Sequence, residues 1–428
     1  MVQPERVLRK VGWRLVPFLM LLYFVNFLDR VNVGFAALAM NKAIGLSPAV
    51  YGWGAGIFFL GYFLFEVPSN LLLQRVGARL WIARIMVTWG VVSTAMAWVS
   101  GPASFITLRF LLGIAEAGFF PGIILYLTFW FPAAYRARIV AAFFMAVPLS
   151  SVFGNPVSAW VLGLDGWLGF EGWRWLFAIE GVPAIVLCFV VLGYLGDGPA
   201  TAAFLAPEER EWLCATIAAE DQARTTARPL DLRAALINGT VWMLAGVYFG
   251  LVMALYGIAL WLPQIANGFG LSLQQIGFVT AIPYIVATVG MVVWSRRSDA
   301  KGERTWHVAI TGFIAAAGLI ATPFAGSPVL SLLCLCVAAF GIYAAIPVFW
   351  TLPAGFLSGT AAAGAIGLIN ALGNLGGFVG PSMVGFVHEE TGSFAAGLVV
   401  LGLASLGAGL LALATRAEPP KTGDSGAG

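Results

Sequence analysis

Residues 13–38 read WRLVPFLMLLYFVNFLDRVNVGFAAL, an apolar run that carries an acid and a base, Asp29 and Arg30, near or slightly beyond its centre. A helix of about 20 apolar residues crosses the hydrocarbon core of a bilayer. A charge at that depth costs roughly 3 kcal/mol or more, and it persists mainly where it serves a substrate or ion pathway. The run therefore reads as a membrane helix with a function.

Eleven further runs follow: 50–73, 80–100, 103–130, 139–163, 174–196, 238–265, 272–295, 306–325, 328–350, 361–387 and 393–415. The 428-residue chain is 60% hydrophobic and only 10% charged, against about 25% charged in soluble domains. Basic residues in short loops mark the cytoplasmic side. With the N-terminus inside, the inward segments hold Arg6, Arg9, Lys10, Arg14, then Arg75, Arg79, Arg84, then Arg136 and Arg138. They continue with Arg210, Arg224, Arg228, Arg233, then Arg296, Arg297, Lys301, Arg304, then Arg416 and Lys421. The outward loops keep Lys42 and Arg174, and Arg30 and Arg109 lie in the membrane. Both termini are expected in the cytoplasm. Charge divided among separate loops makes no nucleic-acid patch. Cys188, Cys214, Cys334 and Cys336 suggest neither a disulfide framework nor a zinc site. Residues 1–12 are too polar for the apolar core of a signal peptide, so the first helix is expected to remain as an anchor.

The expected architecture is all-α, with 12 transmembrane helices in two pseudo-symmetric six-helix bundles. The long polar interruption sets its limits: a first bundle over 1–196, an inter-bundle loop over 197–235, a second bundle over 236–416 and a disordered tail over 417–428. In the loop, Pro207-Glu208-Glu209 starts a short amphipathic helix with Trp212 and Leu213 on the inner membrane face. Gly77 and Gly302 lie 225 positions apart, as do Arg79 and Arg304, and Pro156 and Pro381. The shared offset argues for a duplicated bundle, whose substrate site lies between the copies near mid-membrane.

The halves differ in chemistry. No Asp, Glu, Lys or Arg occurs over 234–295 or 305–388. The second half offers Tyr256, Trp261, Gln264, Tyr284, Tyr343, Trp350, Asn370 and Asn374, the last two one turn apart. The first half holds Asp29, Arg30, Arg109 and Glu116, the last two sharing a helix face at seven residues' spacing. An arginine fork binds a carboxylate through two parallel bonds. An apolar setting favours the neutral carboxyl and a nearby arginine the ionised one. A carboxyl that loses its arginine to substrate can thus exchange a proton. The alternatives are structural ion pairs between the first and fourth spans, or a membrane enzyme. Buried ion pairs stabilise poorly against apolar packing, and the two histidines, His307 and His388, lie far apart. Glu66 is read as a structural residue meeting the basic inward loop, and Glu180, after Trp173-Arg174-Trp175, as part of an interfacial aromatic belt with an Arg/Glu contact. For Tyr256 and Trp350, packing is weighed above ligand contact. A lone amide such as Asn370 needs a partner.

Three stretches carry a family resemblance: Asn26-Phe27-Leu28-Asp29-Arg30-Val31-Asn32, Gly61-Tyr62-Phe63-Leu64-Phe65-Glu66-Val67-Pro68-Ser69-Asn70, and 109–122, RFLLGIAEAGFFPG, leading into Trp130-Phe131-Pro132. Together with Gly172-Trp173-Arg174-Trp175, Glu180-Gly181, Ser298-Asp299 and Gly302-Glu303-Arg304, they resemble the anion:cation symporter branch of the major facilitator superfamily, most closely its tartrate-type and aromatic-acid carriers. The resemblance implies proton-coupled uptake of organic acid anions. It implies proton sites at Asp29 and Glu116, carboxylate and coupling roles for Arg30 and Arg109, and substrate contacts at Tyr62, Trp350 and Asn370; Asn374 joins that set by its helix face. Glu66, Arg75, Gly77, Arg79, Asp299, Gly302 and Arg304 are expected in gating or structural roles. Phe27 falls where the galactonate carrier has a tyrosine, and Gln74 replaces the usual acid of the first inward motif.

The expectation is a monomeric, multi-pass carrier of a bacterial inner membrane. It imports a tartrate-like hydroxy acid, sugar acid or aromatic acid with protons as coupling ion and no cofactor. The runner-up is a proton-independent exchanger or efflux carrier of the same fold.

Overall fold

In the computed structural model, every regular element among the described residues (2–225, 237–353 and 361–415) is helical. The first half comprises α1 (Pro4–Val31), α2 (Val33–Ala43), α3 (Pro48–Val76), α4 (Ala78–Ala95), α5 (Pro102–Glu116), α6 (Phe119–Thr128), α7 (Ala133–Phe144), α8 (Ala146–Leu162) and α9 (Gly172–Tyr194). After α10 (Pro207–Thr225) come α11 (Gly239–Asn267), α12 (Leu273–Lys301), α13 (Thr305–Ala321), α14 (Pro328–Phe349), α15 (Ala361–Asn374), α16 (Gly376–Thr391) and α17 (Phe394–Ala414). Residues 226–236, with Arg228 and Arg233, and the expected tail with Arg416 and Lys421 lie outside the described residues.

Among the described residues, eleven segments are long and apolar enough to cross a membrane. The first, Pro4–Ala43, joins α1 and α2 and is longer than the apolar run suggests. The run 361–387 reads as one crossing in the sequence, but the chain there forms two helices of 14 and 16 residues. At about 1.5 Å per residue neither spans the roughly 30 Å core alone. Phe153, Phe189, Phe278 and Phe324 point outward, as a surface facing acyl chains requires. All four cysteines are free.

Local chemistry sets the helix ends. Ser47 and Ser327 cap α3 and α14, each with a proline in the first turn. Ser272 and Gln275 exchange bonds in a capping box at α12. The repeated glycines Gly77 and Gly302 end α3 and α12, both at positive φ. In the linker, α10 buries Leu213, and its Glu209 accepts from Lys10 at 2.8 Å. That hydrogen bond holds the Glu209 carboxyl below its usual range.

The two halves close on each other at the end remote from the N-terminus. There α3 lies on α16, α8 on α12, and α2 on α11. The closest approach is at Gly385, where an added Cβ would stand 2.4 Å from the Pro48 carbonyl and 3.0 Å from the Gly52 Cα. Only glycine lets the backbones meet so closely. Glu389 of α16 accepts from Ser47 Oγ (2.6 Å) and the Ala49 amide (2.7 Å) at the start of α3. Asn155 donates to Thr280 at 3.2 Å, and Tyr51 donates to the Leu260 carbonyl at 2.9 Å.

Candidate substrate site between the two halves

Three breaks in membrane helices position the polar centre. Asn32 separates α1 from α2 just after Asp29 and Arg30. Ala117 and Gly118 separate α5 from α6 just after Glu116. Leu375 separates α15 from α16 just after Asn374. The break after Glu116 needs glycine. Gly118 has φ +85°, and a Cβ there would sit 2.3 Å from Ser69 Oγ. Irregular backbone at membrane depth is tolerated where protein covers it or where it lines a cavity.

Arg30 joins the two halves. Its Nε donates to Glu116 Oε1 at 2.9 Å, and its Nη2 donates to the same oxygen. Its Nη1 donates to Tyr256 Oη in α11 at 2.8 Å. Glu116 is fully buried, and its Oε2 makes no hydrogen bond. The Phe58 ring is shared between two cations, with the guanidinium carbons of Arg30 and Arg109 each 5.1 Å from its centroid. Arg109 is fully buried, and its Nη2 donates to the Ala55 carbonyl at 2.9 Å. Among the described residues it forms no ion pair, and it does not line the central cavity. The structure thus pairs Arg30 with Glu116 and leaves Arg109 as a buried cation without a carboxylate.

Asp29 turns away from both arginines. It accepts from Trp89 Nε1 at 2.6 Å and Ser93 Oγ at 3.1 Å, both on α4. No arginine pair holds it, so a scheme in which both acids are restored by arginine applies to Glu116 alone.

Glu66 is a correction. It does not meet the basic loop after α3; its Oε1 accepts from Asn370 Nδ2 of α15 at 2.7 Å. Arg75 lies nine residues further on, two and a half turns, and so on the opposite face of the helix. Glu180 is a second correction. It is 3% exposed and accepts from Ser158 Oγ at 2.7 Å. The belt arginine, Arg174, pairs with Glu171 instead.

A cavity of about 50 Å³ lies between the halves, walled by Tyr23, Phe27, Arg30, Phe59, Tyr62, Phe120, Tyr248, Tyr256, Tyr343, Asn370 and Asn374, among others. That is room for one or two waters, each taking roughly 30 Å³. Ligand sites are usually several hundred Å³, so this conformation must widen to admit a small-molecule ligand. Trp350 is set back from the cavity, edge-on to Tyr248 with centroids 4.8 Å apart. Tyr23 and Tyr248 emerge only in the structure; nothing in their sequence surroundings separates them from packing aromatics.

A model described as Major Facilitator Superfamily matches residues 19–381, with a second match over 265–428. The chain belongs to the Major Facilitator Superfamily. Relatives agree. Two Agrobacterium vitis proteins, each named "Putative tartrate transporter", are 54% identical over 97–98% of this chain and 92–96% of their own. A "Quinolone resistance transporter" of Acinetobacter baumannii is 42% identical over 94% of this chain and 92% of its own. Among solved structures, a partially occluded, inward-open xylose transporter XylE from E. coli superposes with a TM-score of 0.74 at 16% identity. It covers 97% of this chain and 99% of its own. The protein is a facilitator-type transporter and not an enzyme, a multi-pass protein of the inner-membrane kind.

The facilitator motifs after α3 and α12 hold their charges locally. Arg79 pairs with Asp197 at 3.4 Å. Arg304 pairs with Asp299 at 2.6 Å and donates to Ser298 at 2.9 Å. Arg75 is exposed.

Proposed function

We propose that this facilitator is a proton-coupled symporter of a small organic acid anion. A tartrate-like hydroxy acid comes first within a class that includes sugar and aromatic acids. One observation carries the reading: a buried guanidinium, Arg30, is held by a carboxylate from its own half and a hydroxyl from the other. The names of the 54%-identical relatives favour tartrate.

In this scheme a proton arriving at Glu116 neutralises the carboxylate and frees Nε and Nη2 of Arg30. The substrate carboxylate takes that fork through two parallel bonds. Arg109, behind Phe58, adds positive potential without touching the ligand. Tyr62, Asn370 and Asn374 meet the hydroxyls or the second carboxylate, and Asn370 leaves Glu66 to do so. Asp29 binds a further coupling proton. Charge is thereby balanced, because the anion enters only where a carboxylate has been discharged.

The arrangement in the membrane follows from the loops. Both termini lie in the cytoplasm, and α15 and α16 together make the eleventh of twelve crossings. The bundles span 1–196 and 236–416, and the functional unit is a monomer. The packed end at Gly385 and Glu389 then faces outward, so this conformation is shut to the exterior. Opening it requires α3 to part from α16.

The test is uptake of labelled tartrate into proteoliposomes with and without an inward proton gradient. Accumulation that a protonophore abolishes is expected. Exchange that ignores the gradient would overturn the coupling.

A further inference from the structure

Glu180 has no part in the site between the halves, yet it is as deeply buried as the residues that do. It lies on α9 at 3% exposure, with Asp29 at 1%. Its Oε1 accepts from Ser158 Oγ of α8 at 2.7 Å. Its Oε2 is buried and makes no hydrogen bond. Asn32, at the α1–α2 break, lies beside Asp29: its Nδ2 donates weakly to Asp29 Oδ1 at 3.5 Å, and its own Oδ1 is buried without a partner.

The surroundings contain no compensating cation. From α4 the facing groups are Trp89, Ser93 and Thr94, where Thr94 Oγ1 lies 2.7 Å from the position of a Cβ on Gly181. From α8 there is Ser158, and from α1 and α2 there are Asp29 and Asn32. On α9 itself Arg174 is tied to Glu171 and to the Ala97 carbonyl. No Lys or Arg among the described residues bonds either acid. Two ionised carboxylates cannot share such a site, because burial and mutual repulsion both oppose it.

The order along the membrane is also defined. Counted from the helix ends remote from the N-terminus, Glu180, Asn32 and Asp29 lie roughly 12, 16 and 21 Å deep at 1.5 Å per residue. Glu180 is the shallowest of the three.

We infer that Glu180 is a proton-binding site of its own, neighbouring Asp29 against the same turn of α4, where Ser93 bonds Asp29 and Thr94 abuts Gly181. A proton from water on the remote side adds to Oε2 and leaves to water on the other side; no other bond changes. Two neighbouring buried carboxyls oppose each other's ionisation, so charging one favours protonation of the other. Its use as a coupling proton rests on the symport reading above; its binding of a proton does not.

Two measurements test it. Infrared pH titration of the purified protein should show a protonated-carboxyl band that is missing in Glu180→Gln and returns in Glu180→Asp. A wild-type spectrum in Glu180→Gln would overturn the site. In proteoliposomes loaded with tartrate, Glu180→Gln should retain exchange with a proton:anion ratio lower by one, and an unchanged ratio would overturn the coupling. If wild type itself ignores protons, the symport reading fails while the titration still decides the site. If Glu180→Gln does not fold, Ser158→Ala must alter the titration of that band; an unaltered band overturns the site. A band that responds to sodium at fixed pH would mean a metal cation and not a proton.

Discussion

The first half of the molecule buries Asp29, Arg30, Glu66, Arg109, Glu116 and Glu180; the second half buries no Asp, Glu, Lys or Arg among its described residues. Against those charges it sets Tyr256, Tyr343, Asn370 and Asn374. The buried acids and bases belong to one bundle, and the neutral polar groups that line the cavity belong mostly to the other. The halves meet through polar contacts of opposite polarity. Arg30 donates to Tyr256, and Asn370 donates to Glu66. A neutral partner can release either bond without leaving an uncompensated charge of its own, which suits a contact remade in every cycle.

The largest effect should come from breaking the charged side of this contrast. Arg30→Ala strands Glu116 in an apolar setting, at roughly 3–5 kcal/mol for an unpaired buried charge. Transport should be lost and melting temperature lowered, as thermal unfolding in detergent would show. Arg30→Lys keeps the charge but not the fork, so it should fold and still fail to transport. Asp29→Asn sharpens the contrast. It should keep substrate exchange and lose acid-driven accumulation, and wild-type accumulation would remove Asp29 from the coupling. Next is the packed end. A side chain at Gly385 collides with the Pro48 carbonyl, so Gly385→Val should populate states open on the remote side. Cysteine labelling of that face would report it, and unchanged labelling would show that the contact does not hold the gate. Tyr256→Phe touches only the neutral side. It removes one acceptor from a charged donor, worth roughly 1.5–3 kcal/mol, so substrate affinity should shift by roughly 10- to 150-fold without a change in proton dependence.

The smallest effect belongs to the surface. Lys10→Ala loses an exposed pair worth roughly 0–1 kcal/mol. The hydrogen bond from Lys10 depresses the carboxyl of Glu209. The contact is therefore present at neutral pH and is lost as the pH falls through that lowered value. Mild acidification above the usual carboxylate range should leave it intact.

The helical membrane fold was largely legible in the sequence because bilayer thickness leaves few alternatives for long apolar runs. The charged centre was legible too, since charge at membrane depth is conspicuous. The pairings were not. Arg30 and Glu116 are 86 residues apart, and nothing in the chain says that Arg109 faces a carbonyl while Arg30 takes the acid. The aromatic run before Glu180 suggested an interfacial contact with Arg174. Six residues of helix turn those two side chains to different faces, while Glu171 lies on the Arg174 face at three. The split of the last-but-one crossing into α15 and α16 was hidden as well, because Leu375 is as apolar as its neighbours.

The Phe58 ring has a mechanical consequence. It packs against both the Arg30 and the Arg109 guanidinium groups, so α3 carries a contact to each cation. About 16 Å along the same helix, at 1.5 Å per residue, the clasp of Glu389 on Ser47 and Ala49 holds its tip. The stretch from Ser47 to Phe58 is thus a lever, with a grip at one end and a latch at the other. On the proposed transport cycle, release of Arg30 at one end of that lever would load the latch at the other.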